Sequence, residues 1–160
     1  RFLKIMLEQE LRYKITKEKA QEIISKKNFS KPQKQTDTYY EGYFEGIFRI
    51  RESNSQYFCH KYFKGDSWEE WEVEVPLKTA MELKKALESQ KTINIIKIRQ
   101  KFYDNGIEIN IDEIEGLGIF CEIEMVGKTK KDIRAIAKKM NLEGEIKEGY
   151  VQLMKREISS

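Results

Sequence analysis

Hydrophobic and charged residues alternate along most of the segment 7–15, which predicts a β-strand with two different faces. Because successive side chains of a strand point to opposite faces, the charged residues share one face and the hydrophobic residues share the other. The charged face carries two carboxylates followed by two cations, in the order Glu8, Glu10, Arg12 and Lys14. The segment therefore offers an acidic pair suited to a divalent cation beside a basic pair suited to phosphate.

Four later segments repeat this alternation, and each charged face carries one sign of charge. Their charged faces are Arg49 and Arg51; Glu70, Glu72 and Glu74; Lys97, Arg99 and Lys101; and Glu122 and Glu124. A solvated sheet face, the alternative for any single segment, usually mixes signs, because like charges opposite one another are unfavourable by up to about 1 kcal/mol. The sorted charges favour a closed or strongly curved antiparallel sheet with charged faces inside and hydrophobic faces under helices outside.

The remaining segments predict the helices and turns of an α+β fold with about eight strands. Helical spacing and capping residues predict three helices. The first begins after Thr16, and the second begins at Leu77, directly after Pro76. The third begins after Thr129, with Asp132 three residues later as the second residue of a capping box. A fourth helix is predicted around 150–156. Asn105-Gly106 is a strong hairpin signal, since both residues tolerate positive φ. In 56–64, alternation places His60, Tyr62 and Lys64 on one face.

Composition narrows the class of protein. The 160 residues are 39% hydrophobic and 36% charged, which suits one folded domain spanning 1–160. Thirty cations against 27 anions give a net charge of only +3, and no basic block predicts a nucleic-acid partner. Cys59, Cys121 and a single histidine support neither a disulfide framework nor a zinc site. No membrane-spanning run or signal peptide is present, so a cytoplasmic protein is expected.

An interior lined with ions requires a partner for them. Removing an ion from water without compensation costs several kcal/mol, so the predicted cavity needs internal ion pairs, water, or a ligand that carries both negative charge and metal. A polyphosphate with a divalent cation satisfies that description.

The chain resembles the CYTH superfamily, which is named for its adenylyl cyclase and thiamine triphosphatase members. Glu8-x-Glu10-x-Arg12 resembles the ExExK signature, with arginine in place of the usual lysine. Four further stretches agree in order, namely 35–39, 49–51, 97–99 and 117–124. The last stretch, with Asp112 ahead of it, is most similar to the class IV adenylyl cyclase branch. The resemblance implies an eight-stranded antiparallel tunnel that binds triphosphates.

The resemblance and the charge pattern together predict the residues of a site. The metal ligands are expected to be oxygen donors for Mg²⁺ or Mn²⁺: Glu8, Glu10, Asp112, Glu122 and Glu124. The triphosphate is expected to contact the cations Arg12, Lys14, Arg49, Arg51, Lys64, Lys97 and Arg99. The residues expected to act in catalysis are Glu8, Glu10, Arg12 and Asp112.

Three functions remain open from the sequence. The first is a class IV adenylyl cyclase-like enzyme that converts ATP into cyclic AMP and pyrophosphate. The second is a metal-dependent triphosphatase acting on tripolyphosphate, thiamine triphosphate or nucleoside triphosphates, and the third is a non-catalytic triphosphate-binding protein. The resemblance to class IV cyclases also makes a homodimer a possible assembly.

Overall fold

The strands of the chain form a closed antiparallel barrel. The computed structural model describes residues 3–41, 46–64, 67–126 and 132–160, with side chains described except at 3–8, 63, 64, 67, 68 and 126. The eight strands are β1 (Leu3–Ile15), β2 (Gln33–Tyr40), β3 (Ile47–Glu52), β4 (Gln56–Lys64), β5 (Ser67–Val75), β6 (Thr92–Asp104), β7 (Ile107–Ile114) and β8 (Gly118–Val126). Their order is β1-β5-β4-β3-β2-β6-β7-β8, and β8 pairs again with β1. The closed or strongly curved sheet predicted from the sorted charges is confirmed, and the barrel is closed.

The register sets basic and acidic residues opposite one another on the inner face. Arg12 of β1 lies opposite Glu122 of β8, and Arg51 of β3 lies opposite Asp37 of β2. The β6–β7 hairpin turns at Asn105 and Gly106, which have φ values of 47° and 80°. These positive angles are those of the two-residue hairpin turn predicted from this dipeptide.

Helices cover the hydrophobic outer faces of the strands. The four helices are α1 (Lys17–Lys26), α2 (Leu77–Ala86), α3 (Ile133–Lys139) and α4 (Tyr150–Ser159). Alternate residues of β1, β7 and β8, such as Leu11, Ile109 and Ile123, pack in one core with Ile23 of α1 and Ile133 of α3. A smaller core contains residues of β2 and β3 with α2. None of the described helices is long and apolar enough to cross a membrane.

The inner face of the barrel changes from charged to hydrophobic toward one end, where α4 packs. Tyr150 and Leu153 of α4 contact Ile93 and Ile95 of β6 and Phe120 of β8. Because these strand residues lie on the same face as the inner charges, α4 covers this end of the barrel. The fourth helix predicted around 150–156 is confirmed as α4.

Capping residues define where two of the helices begin. The Thr16 side chain accepts a hydrogen bond from the Lys19 backbone N–H at 3.1 Å, as predicted for an N-cap. Asp132 itself caps α3 by accepting from the backbone of Arg134. The prediction that Asp132 is the third residue of this helix was wrong, because its short carboxylate reaches the exposed backbone N–H groups directly. Thr129 lies outside the described residues.

Gly46, immediately before β3, is expected to be intolerant of a side chain. Its φ is +81°, and a Cβ built there lies 2.3 Å from the Lys61 carbonyl oxygen. Gly144 has a similar φ of +77° but nothing within 4 Å of such a Cβ. We expect Gly46→Ala to lower the free energy of unfolding by about 1–3 kcal/mol more than Gly144→Ala, since only Gly46→Ala adds overlap to backbone strain. Urea unfolding of both variants measures this difference, and equal losses would contradict it.

Candidate active site

The barrel encloses a cavity of about 550 Å³, which is within the usual range for a small-molecule site. Fourteen of its described lining residues are charged. The basic ones are Arg12, Arg49, Arg51, Lys61, Lys97, Arg99, Lys101 and Lys147, and the acidic ones are Glu10, Glu70, Glu72, Glu108, Glu122 and Glu124. Eight basic side chains thus converge on one cavity, where they can contact a polyanionic ligand.

Three carboxylates gather on adjacent strands at one side of the cavity and are called here the acidic cluster. They are Glu10 of β1 with Glu122 and Glu124 of β8, and one oxygen of each lies within 4.8 Å of the others. Glu122 and Glu124 are buried and Glu10 is half-buried. Buried carboxylate oxygens are the ligands that Mg²⁺ and Mn²⁺ accept, so these residues fit a divalent cation.

Arg12 is fixed between the acidic cluster and the cap of α4. Its Nε donates to Glu122 at 3.0 Å, and its Nη1 donates to the Glu148 backbone carbonyl at 2.7 Å. The guanidinium also lies 4.5 Å from the centre of the Tyr150 ring. Burial raises the pKa of Glu122, but Arg12 and Arg99 outweigh it and hold that pKa well below its usual range. Glu122 therefore remains ionised in the barrel.

Arg99 is held by a second carboxylate beneath the cavity wall. Its Nε and Nη2 each donate to one oxygen of Asp112 at 2.6 Å, and Nη2 also donates to Glu122 at 2.9 Å. The Tyr150 hydroxyl donates to Asp112 at 2.9 Å. The two Asp112 oxygens are thus engaged by Arg99 and Tyr150, and the structure places Asp112 outside the acidic cluster. Metal ligation by Asp112 stays a prediction.

Asp37 supports two other cations of the cavity wall. Its two oxygens accept from Arg51 at 2.8 Å each, and Lys97 Nζ lies 3.3 Å from Asp37 Oδ2. Burial raises the pKa of Asp37, but Arg51 and Lys97 outweigh it and hold the pKa well below its usual value. Burial and the neighbouring Arg99 lower the pKa of Lys97 to about 8. Lys97 therefore loses part of its charge near pH 8, and an approaching anion favours its protonated form.

A second group of candidate ligand atoms lies on β4 and β5. One ligand atom from each of Cys59, Glu70 and Glu72 is within 4.8 Å of the others. Glu70 pairs with Arg49 at 2.9 Å, and the Cys59 thiol donates to Glu72 at 3.4 Å. Burial raises the pKa of Cys59 to about 11, so the thiol keeps its proton. Cys59 and Cys121 are both free and buried.

The structure brings most of the predicted site residues together around one cavity. Glu10, Arg12, Arg49, Arg51, Lys97, Arg99, Glu122 and Glu124 all line it. Lys14 is exposed at the end of β1, with its Nζ 6.0 Å from the centre of the Phe120 ring. Glu8 and Lys64 belong to β1 and β4, but their side chains lie outside the described part of the structure.

Lys61 is a lining residue that the sequence pattern did not identify. It is buried on the inner face of β4, and its Nζ lies 3.4 Å from Glu10 Oε2. His60 and Tyr62 share the opposite face, with ring centres 5.6 Å apart. Aromatic residues or a cysteine occur on both faces of β4, so the two faces have similar polarity. The alternation therefore did not show which face points into the barrel.

Comparisons with known proteins agree with this architecture. A family model of the CYTH domain matches residues 6–157. A protein of Methanocaldococcus jannaschii named "putative adenylate cyclase" is 30% identical, over 92% of this chain and 98% of the relative. A conserved hypothetical protein of Pyrococcus furiosus has a solved structure with a TM-score of 0.77 at 26% identity, over 91% of this chain and 99% of that one.

A second solved structure has the same fold at lower sequence identity. It is a Hippeastrum protein described as a "putative adenylyl cyclase" that reveals a dominant triphosphatase activity, with a TM-score of 0.67 at 15% identity. The similarity covers 94% of this chain and 95% of that one. Because the family model spans nearly the whole barrel and its charged interior, the chain belongs to the CYTH domain family.

Proposed function

We propose that this protein is a metal-dependent enzyme that converts ATP into cyclic AMP and pyrophosphate, as a class IV adenylyl cyclase does. The observation that carries the proposal is the arrangement of the acidic cluster and eight basic side chains around one cavity. Such a cavity matches a triphosphate with its divalent cation. The relative from Methanocaldococcus jannaschii named as a cyclase supports the choice of reaction.

Glu10, Glu122 and Glu124 would hold Mg²⁺ or Mn²⁺, and Glu8 is proposed as a further ligand. A divalent cation in this position supplies a Lewis acid that favours loss of the proton from the ribose 3′-hydroxyl and neutralises charge on the phosphates. Arg12 and Arg99 hold the pKa of Glu122 below its usual range, so this carboxylate stays ionised and could act as an oxygen ligand.

The basic residues orient the triphosphate and stabilise the leaving group. The 3′-oxygen forms a bond to the α-phosphorus while the bond from that phosphorus to the bridging oxygen breaks, and the hydroxyl proton passes to solvent. Arginine forks suit the non-bridging oxygens of the departing pyrophosphate. Arg51 and Arg99 are prepositioned for this task because Asp37 and Asp112 each hold one of them by two hydrogen bonds.

A triphosphatase is the second candidate function, and the character of the cavity wall favours it. Fourteen of the described lining residues are charged, a composition that recognises phosphate groups more directly than a purine. In this reaction water attacks the terminal phosphorus, the bond to the bridging oxygen breaks, and orthophosphate leaves. The same carboxylates and cations serve both reactions, as the dominant triphosphatase activity described for the Hippeastrum protein illustrates.

A product assay separates these functions. The purified protein is incubated with Mg²⁺ or Mn²⁺ and either ATP or tripolyphosphate, and the products are resolved by chromatography. Cyclic AMP with equimolar pyrophosphate supports the cyclase, whereas orthophosphate without cyclic AMP supports the triphosphatase. Binding of either compound with no product would leave a triphosphate-binding protein. Glu10→Gln prepared in parallel identifies activity from a contaminating enzyme, because such activity would be equal in both samples.

Lys97 is expected to take up a proton when a polyphosphate binds. Its pKa is lowered to about 8 in the free protein, and a bound polyanion raises it again. At pH 8 the wild-type protein should therefore take up about half a proton per site more than Lys97→Arg, whose side chain is always charged. Calorimetry of tripolyphosphate binding, with EDTA present and in buffers of different ionisation enthalpy, measures this difference. Equal proton uptake by the two proteins would contradict the prediction.

A further inference from the structure

Tyr103 is an aromatic residue that lines the cavity but is mostly exposed to solvent. It belongs to the cavity wall, and 61% of the residue is exposed. The other two aromatic residues of the described lining are Tyr39 and Tyr150, which are only 7% and 5% exposed and pack in one core with Leu153 of α4. Among the described lining residues, Tyr103 thus presents the aromatic surface that a ligand can reach.

The hairpin between β6 and β7 holds the Tyr103 side chain. The Tyr103 hydroxyl accepts a hydrogen bond from the Gly106 backbone N–H at 3.2 Å. The turn brings this N–H back toward Tyr103 because Asn105 and Gly106 both adopt positive φ. An aromatic side chain that is already oriented loses little conformational freedom when a flat ligand packs on it. The ring is therefore prepared for a planar group.

The strand register places Tyr103 near the acidic cluster. Tyr103 lies opposite Glu108 of β7, and Glu108 lies opposite Glu124 of β8. Neighbouring strands are about 4.8 Å apart, so the Tyr103 and Glu124 backbones are separated by roughly 10 Å. In a nucleotide, the ribose spans the interval between the phosphates and the base. Phosphates held beside the acidic cluster therefore leave the base within reach of the Tyr103 ring.

Glu108 is the polar residue opposite Tyr103, and both of its carboxylate oxygens already have partners. Lys101 Nζ lies 3.2 Å from Oε1, and Asn110 Nδ2 donates to Oε2 at 3.1 Å. The edge of a base would have to compete with these partners for hydrogen bonds to Glu108. Stacking needs no such bond, and it tolerates any base because every base has an aromatic face. The surroundings of Tyr103 thus favour recognition of the face of a base over recognition of its edge.

We propose that Tyr103 is a stacking platform for the base of a nucleoside triphosphate. This inference rests on the proposed function, in which the acidic cluster and the cations of the cavity hold the triphosphate. Inorganic tripolyphosphate has no base to stack, so Tyr103 selects nucleoside triphosphates over tripolyphosphate. Because stacking does not depend on the edge of the base, Tyr103 accepts adenine and guanine alike.

Titrations of Tyr103→Ala with ATP, GTP and tripolyphosphate test the platform. EDTA is present throughout and prevents turnover, because both proposed reactions need a metal. We expect Tyr103→Ala to bind ATP and GTP about tenfold more weakly than the wild-type protein, which is the size of loss typical of one stacked base. Its affinity for tripolyphosphate should stay within about twofold of wild type, since this ligand does not contact the ring.

Two further variants are the controls. Tyr103→Phe keeps the ring and loses only the hydroxyl, so it should bind ATP within about threefold of wild type. Trp71→Ala removes an exposed aromatic residue of β5 that lies outside the described cavity lining, and it should change none of the three affinities. Circular dichroism checks that all the variants are folded.

The outcomes separate this inference from the proposed function. If the wild-type protein binds none of the three compounds, the proposed function is wrong and the platform is wrong with it. If the wild-type protein binds ATP, an equal ATP affinity of Tyr103→Ala overturns the platform alone. A tripolyphosphate affinity that falls as far as the ATP affinity also overturns it, because the ring would then support the phosphates or the fold. A loss of affinity for ATP without a loss for GTP would overturn the acceptance of both bases.

Discussion

Replacing Glu10 with glutamine is expected to lower metal-dependent turnover by about a thousandfold while the barrel stays folded. Glu10 is one of three carboxylates whose oxygens lie within 4.8 Å of one another, and the loss of one charged group that acts directly on the reacting centre commonly costs about 10²–10³ in rate. Glutamine keeps the shape of the side chain, so packing is retained. Initial rates with Mn²⁺ and the preferred triphosphate measure the change.

Binding data distinguish the loss of a metal ligand from a general defect. Glu10→Gln releases Lys61 and Arg12 from an anionic partner, so tripolyphosphate should bind in EDTA at least as tightly as to the wild-type protein. Glu113→Gln makes the same chemical change at an exposed position of β7 and should leave turnover unchanged. If Glu10→Gln retains turnover within about threefold of wild type, the acidic cluster does not hold the catalytic metal.

Replacing Asp37 with asparagine is expected to give a large loss of stability. Asp37 is fully buried and neutralises both Arg51 and Lys97. Removing one partner of a buried ion pair costs about 3–5 kcal/mol, because the other charge remains buried without compensation. Urea unfolding at pH 7 measures this loss. Asp104→Asn makes the same change at an exposed end of β6 and should change the free energy of unfolding by less than about 0.5 kcal/mol.

The Asp37→Asn variant should also respond more strongly to ligand and less strongly to acid. Tripolyphosphate supplies negative charge near Arg51 and Lys97, so it should raise the melting temperature of the variant more than that of the wild-type protein. The depressed pKa of Asp37 stabilises the fold above the pKa of an unfolded aspartate, and this stability is lost as pH falls toward the folded pKa. The Asp37→Asn variant has no carboxylate at this position, so its stability does not fall in this way at low pH. Equal responses of the two proteins to ligand would show that Asp37 does not support the phosphate-binding cations.

The closed barrel and most of its charged lining followed from alternation in the sequence. Glu10, Arg12, Arg49 and Arg51 occupy strands whose two faces differ clearly in polarity, so the direction of each side chain was readable. β4 was different, since its faces are not distinguished by polarity, and Lys61 was missed there. A residue pattern fixes the direction of a side chain only where the two faces of a strand have different chemistry.

The pairing of individual charges could not be predicted from the sequence. The resemblance predicts Asp112 as a metal ligand, and this stays a prediction, but the sequence did not show that its oxygens accept hydrogen bonds from Arg99 and Tyr150. The Arg99 contact arises from the register of the β6–β7 hairpin, whereas the Tyr150 contact depends on α4 packing against the end of the barrel. Such contacts depend on the complete tertiary structure, which local alternation does not encode.

The closure of the barrel between β1 and β8 has a consequence for how the chain folds. These strands pair over residues more than 100 positions apart, for example Arg12 with Glu122, and contacts between such distant residues slow folding. Before β8 joins, the sheet has two open edges, and its concave face consists mainly of charged side chains that water solvates well, except at the hydrophobic end that α4 covers. The inner face of an ordinary small barrel is hydrophobic and is unfavourable in water until the barrel closes. Here an incomplete barrel exposes mainly charged side chains on that face, so late closure leaves little hydrophobic surface in water.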